Sequence, residues 1–332
     1  MNLNKMLFSI MLIFSTLITL SSNNWLSMWM GLEMNLMSFI PLIYEGNKTS
    51  SQAMMTYFLT QALSSMMLLF SMLINPLMFM MLHNNMNKFI MLMMSISIMI
   101  KLGAAPFHAW LPEMMANLSW MKCMILMTWQ KIAPLFLLSN TILNEWFLYL
   151  TIFMCTLVGG IGGLNQTSLR KIMAYSSINH LGWMLMFMMN SSSWYKYLFI
   201  YSILVMMVCS MMKTINVFFM NQLILSSPSM MEKYTYSMTF LSLGGLPPFL
   251  GFLPKWMVIQ TMIASELYLI MVFMMLMSLL TLFYYMRLVC TLLMNYSTTN
   301  KWMLTKSPNM FMLFMFLLTN LMLPTFMVMG FF

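Results

Sequence analysis

The chain is a succession of apolar runs, most about twenty residues long, parted by short polar breaks. A hydrocarbon layer of about 30 Å is crossed by roughly 20 apolar residues in a helix. Inside that layer every backbone N–H and C=O must find its partner within the protein, and a helix meets the demand segment by segment. Only 6% of the 332 residues are charged, against about 25% in an average soluble domain. The pattern predicts an all-α polytopic membrane protein.

Eleven spans can be read, at about residues 6–20, 25–44, 52–73, 88–110, 119–138, 147–164, 172–189, 197–220, 236–263, 267–289 and 310–329. Lys5 precedes the first, but no small-x-small cleavage site follows at Ser21–Trp25, so the run reads as a retained span. Charge is lopsided, with fifteen Lys and Arg against six acidic residues, all glutamate. On a soluble protein such an excess suggests nucleic acid; here the basic residues fall between spans, where they orient them, and no nucleic-acid partner is expected. With eleven spans, Lys5, Lys48, Lys122, Arg170, Lys171, Lys233, Lys301 and Lys306 share the side of the N-terminus. Lys88 and Lys196, with Glu145 and Glu266, fall on the other. The excess places the N-terminus in the compartment where the chain is made.

Two spans are interrupted in the same way. Ile100–Glu113 reads I-K-L-G-A-A-P-F-H-A-W-L-P-E, with Lys101 just before a helix-breaking Gly103 and Pro106. Its core, G-x-x-P-F-x-x-W-L-P-E from Gly103, returns as G-x-x-P-F-x-x-F-L-P-K from Gly245, 245 − 103 = 142 residues on, in register and without a gap. Lys255 stands where Glu113 stood. Corresponding interruptions in two halves, around Gly103-Pro106 and Gly244-Pro248, point to a transport site between repeats. The broken spans are the fourth and ninth, so they cross in opposite directions. The repeat is therefore inverted, with halves of roughly 1–145 and 146–290 and a final helix at about 310–329.

Glu33, Lys101, Lys131 and Lys255 fall well inside spans. A charge at mid-bilayer costs about 2.5–3.5 kcal/mol on insertion scales, so such residues are paired, hydrated or functional. Lysine suits proton transfer in a low-dielectric interior, because burial favours its neutral form and an approaching carboxylate restores the charged one. Movement of Glu33 relative to Lys101 would therefore load or unload a proton. Lys213, near a helix end, can snorkel to the interface along its stem.

His83 lies in a polar turn and reads as exposed. His108 and His180 could face a haem, but no second pair exists and the lysines would go unexplained; His180, near mid-span, suits a proton relay. Cys123, Cys155, Cys209 and Cys290 are scattered singly and read as buried free thiols, with no iron–sulfur or zinc spacing. Gly159 and Gly163 make a G-x-x-x-G that permits close helix packing. The 54 methionines pack as flexible apolar residues, and their excess reads as a coding bias.

Leu169–Met184, L-R-K-I-M-A-Y-S-S-I-N-H-L-G-W-M, resembles the hallmark of the proton-pumping antiporter-like subunits of respiratory complex I. The other motifs are similar to that family's in the same order: I-K-L-G-A-A-P-F-H-A-W-L-P-E, T-W-Q-K-I-A-P-L around Lys131, and G-G-L-P-P-F-L-G-F-L-P-K-W. Together they cover essentially the whole chain. The methionine excess and eleven spans fit an invertebrate mitochondrial member.

The resemblance implies roles residue by residue. Glu33 is similar to the ion-pair glutamate, Lys101 to the lysine it modulates and Lys131 to the bridging lysine. Lys255 resembles the lysine at the exit end of the hydrophilic axis, and His180 a histidine on it. It also implies no cofactor in this chain: flavin, iron–sulfur clusters and quinone belong to partner subunits of the NADH:ubiquinone reductase. The expected partners are neighbouring antiporter-like and small membrane-arm subunits and lipids. The expected location is the mitochondrial inner membrane, N-terminus in the matrix and C-terminal Phe332 in the intermembrane space. A stand-alone cation/proton antiporter and a non-pumping structural subunit are the alternatives. Length and methionine bias disfavour the first, and retention of all four axis charges disfavours the second.

Overall fold

The computed structural model describes residues 3–80, 84–141, 145–191, 193–226, 230–294 and 310–328. His83, Lys301, Lys306 and Phe332 lie outside them. Among the described residues the regular elements are helices, and β-pairing is limited to one isolated bridge between Ser168 and Phe219. In chain order they are α1 (Leu3–Ser21), α2 (Trp25–Ile43), α3 (Lys48–Met80), α4 (Asn84–Leu102), α5 (Trp110–Asn117), α6 (Trp120–Met127), α7 (Ile132–Asn140) and α8 (Glu145–Gly162). There follow α9 (Leu169–Asn190), α10 (Trp194–Ile215), α11 (Met220–Ser226), α12 (Met230–Gly244), α13 (Phe252–Ala264), α14 (Tyr268–Met294), α15 (Met310–Asn320) and α16 (Leu323–Val328).

Seven segments among the described residues are long and apolar enough to cross a membrane: Leu3–Ser21, Trp25–Ile43, Lys48–Asn75, Trp120–Asn140, Glu145–Gly162, Trp194–Ile215 and Tyr268–Leu293. The other four expected spans differ for identifiable reasons. Two are the interrupted pairs α4–α5 and α12–α13. The third, α9, carries Arg170, Lys171, Asn179 and His180 and is buried along most of its length, so protein rather than lipid surrounds it. The last is not the single helix expected at 310–329: it stops at Asn320 and resumes as α16 at Leu323, one residue before Pro324. The backbone carbonyl of Asn320 there accepts the amide of Leu250 instead of continuing the ladder. In the other direction, α3 runs through Pro76, beyond the expected end at Leu73.

Both interruptions end in the same cap. Gly103 has φ +69° and Gly245 φ +80°, the left-handed conformation that glycine adopts without a Cβ penalty. In the first, Ala104 N–H donates to Met99 O and Gly103 N–H to Ile100 O. In the second, Leu246 N–H donates to Leu241 O and Gly245 N–H to Ser242 O. These are paired Schellman bonds, at positions 142 apart. The helices that follow begin at Trp110 and Phe252, again 252 − 110 = 142.

The chain forms two compact units, Met1–Met154 and Cys155–Phe332. In the first, α1 packs along α2, α3 along α2 and α4, and α7 against α4. In the second, α12 packs against α10, α14 and α15, while α9 contacts α10, α13 and α14. A Cβ at Gly159 would lie 2.6 Å from the Asn179 amide nitrogen, so glycine is what lets α8 reach α9 beside His180. Arg287 on α14 donates to the carbonyls of Leu164 and Gln166, fixing the connection between α8 and α9.

Candidate proton-transfer site

In the first unit Lys101 occupies the last turn of α4, the end where peptide dipoles favour a cation. Lys131 does not lie on a continuous helix. Trp129–Lys131 form a 3-10 turn between α6 and α7 in the middle of the fifth span, and Pro134 just beyond it cannot supply the N–H that a continuous α-helix would give the Gln130 carbonyl. Both lysines are buried, and both line one cavity with Asn35, Tyr57, Gln61 and Gln130. Its space open to a water's centre is about 20 Å³, enough for roughly one water molecule.

Neutral amides organise that wall. Gln130 Nε2 donates to Asn35 Oδ1 at 3.1 Å, and the Tyr57 hydroxyl makes a long 3.4 Å bond to Gln130 Oε1. Gln61 Nε2 donates to the Lys101 carbonyl at 3.3 Å, and the Trp110 indole to that of Ile100 at 3.2 Å. The carbonyl end of α4 is thus met by uncharged donors. Glu33 on α2 is half-buried with Oε1 wholly enclosed, and its carboxylate acts electrostatically on Lys101. No hydrogen bond or ion pair joins the two directly.

In the second unit His180 and Lys255 are buried. The imidazole Nδ1 lies 2.8 Å from the Tyr197 hydroxyl, and the Tyr201 ring packs 4.9 Å from it. Lys255, in the first turn of α13, reaches back and donates to the Gly244 carbonyl at 2.7 Å. Its ammonium is also 6.0 Å from the Trp183 ring centre, at the edge of cation–π range. Glycine at 245 makes room for this: a Cβ there would lie 2.9 Å from the lysine's Cε and Nζ.

Lys213 is exposed in the last turn of α10. Cys123, Cys155 and Cys209 are buried thiols, but Cys290 is exposed, because it sits on the outward face of α14. Among the described residues no group of three His, Cys, Asp or Glu could hold a metal ion. At the start of the fifth span, Lys122 forms an ion pair of 2.6 Å with Glu45 and donates to the Ile43 carbonyl. Burial works to raise the Glu45 carboxyl, but hydrogen bonds from Lys122 and from Ser119 at 2.8 Å outweigh it and hold the group below its ordinary range.

In the first unit two buried lysines thus line one small cavity together with neutral amides. The family model described as the transmembrane region of NADH:quinone oxidoreductase and Mrp antiporters matches residues 22–281. The chain belongs to that family. It is 47% identical over 311 residues to NADH-ubiquinone oxidoreductase chain 2 of Anopheles gambiae, covering 91% of this chain and 90% of the relative. The protein of the same name from Locusta migratoria is 45% identical over 305 residues, covering 91% and 89%. Among solved structures, respiratory complex I from Thermus thermophilus with bound aureothin superposes with a TM-score of 0.81 at 20% identity, over 97% of this chain and 79% of that one. That likeness is one of fold.

Proposed function

We propose that the chain is an antiporter-like membrane-arm subunit of mitochondrial complex I that moves protons across the inner membrane while partner subunits pass electrons from NADH to ubiquinone. The observation that carries this reading is the single cavity that Lys101 and Lys131 line together with Asn35, Gln61 and Gln130. Glu33 controls the charge of Lys101, Lys131 carries the proton onward, His180 relays it and Lys255 stands near the exit. No cofactor belongs to this chain. Its partners are neighbouring antiporter-like and small membrane subunits and lipids. Its sequence repeats in halves of about 1–145 and 146–290, a reading supported by the matched caps at Gly103 and Gly245. The N-terminus faces the matrix and the C-terminus the intermembrane space.

Lys131→Met tests the reading, since methionine keeps length and apolar volume while removing the titrating group. In inner-membrane vesicles the proton-to-electron ratio should fall while native gels still contain assembled complex. An unchanged ratio sinks the role given to Lys131. Protease access to the C-terminus in mitoplasts tests orientation, and a protected C-terminus reverses it.

A further inference from the structure

The Tyr197 hydroxyl has no part in the reading above, yet it makes a short buried hydrogen bond to His180. Tyr197 and Tyr201 are one turn apart on α10 and present one face to α9. One ring bonds the imidazole and the other packs on it. Beside it on α9, the Asn179 backbone is closely approached by Gly159 of α8. The helix that carries the imidazole is therefore fixed against both α8 and α10.

An imidazole can take three forms. In one neutral tautomer Nδ1 accepts a hydrogen bond; in the other, and in the imidazolium, it donates one. A carboxylate or carbonyl can only accept, and an ammonium can only donate. A phenol hydroxyl does both, by rotating about its C–O bond. When a proton enters and leaves at Nε2, the ring alternates between its Nδ1–H tautomer and the imidazolium; Nδ1–H donates to the Tyr197 oxygen in both, so Nδ1 is never left unpaired.

We propose that Tyr197 is a positioning residue for His180, its hydroxyl oxygen accepting from Nδ1–H so that the ring is held with Nε2 as the nitrogen that exchanges protons. The proposal rests on His180 lying on the proton path. The test uses the assembled complex in inner-membrane vesicles, measuring NADH-driven proton translocation per amount of complex. Tyr197→Phe keeps the ring and removes the oxygen, and should slow translocation roughly five- to tenfold, the worth of one buried hydrogen bond. Tyr197→Gln, which restores a group able to donate and accept, should recover much of the rate. In a His180→Met background Tyr197→Phe should add nothing further, as expected of coupled neighbours. If His180→Met slows translocation but Tyr197→Phe does not, the role of Tyr197 is overturned and the path stands. If His180→Met itself translocates normally, the relay at His180 fails. Impairment by Gln with a normal Phe variant assigns Tyr197 to packing alone and overturns the proposal.

Discussion

The two helix breaks are built alike and used differently. Each ends a helix on a left-handed glycine with the same pair of backbone bonds, and each restarts a helix at the equivalent residue. In the first unit the lysine precedes the break, and the carbonyl end beside it is met by Gln61 and Trp110. In the second the lysine follows the break and is itself the donor that meets the carbonyl end. A lysine whose helix end is already satisfied can lose its proton without disturbing the scaffold. A lysine that closes the scaffold keeps only a weaker, uncharged bond to it on losing its proton, so a change of state is felt at the helix end. One break separates structure from titration, and the other joins them.

Replacing each lysine by methionine gives the largest expected contrast. Lys101→Met should lower the proton-to-electron ratio with assembly intact. Lys255→Met should lower both, because an unsatisfied buried carbonyl costs about 1–3 kcal/mol. Equal assembly in native gels would erase the distinction. Next come the cap glycines. Alanine at either position carries about 1–2 kcal/mol for its left-handed backbone. At Gly245 the new methyl also meets the lysine's amino end, whereas at Gly103 it meets Leu111 Cδ1 at 2.9 Å. Gly245→Ala should therefore impair proton translocation beyond its effect on thermal stability, and Gly103→Ala should not.

Removing one neutral cap is a smaller change. Trp110→Phe deletes the bond to Ile100 and should cost about 1 kcal/mol in the unfolding of the chain in micelles. The equivalent residue in the second unit is already Phe252, which has no such bond to lose. The smallest effect is expected outside the breaks, at Glu45. Its carboxyl is held below the ordinary 4.5, so the stabilisation is complete above that value and is lost as pH falls through the lowered one. Wild type should exceed Glu45→Gln by under about 1 kcal/mol at pH 7. That margin should shrink as pH falls below 4.5; a margin unchanged in acid would contradict the assignment.

The lysines, the glycine–proline breaks and the apolar spans were legible in the sequence because charge, helix breaking and hydropathy are local signals. Asn35, Gln61, Gln130 and Tyr197 were not. A neutral amide or phenol in an apolar run barely alters hydropathy, and its role appears only when another helix supplies the partner, as Asn35 does for Gln130. The exception is the break at Asn320, where Pro324 offered a signal. The largely buried α9 was legible as a span at 172–189 despite its polar residues, since burial in protein tolerates polarity that lipid would not.

The 3-10 turn at Trp129–Lys131 has a rotational consequence. Three residues wind about 360° at 3.0 residues per turn, where an α-helix would wind about 300°. They also advance about 1.5 Å further along the axis. The helical wheel drawn through α6 is thus out of phase with that of α7 by about 60°. Lys131 sits at the joint, so winding or unwinding that turn would swing its side chain around the axis and slide α7 lengthwise, a screw motion available without bending the span.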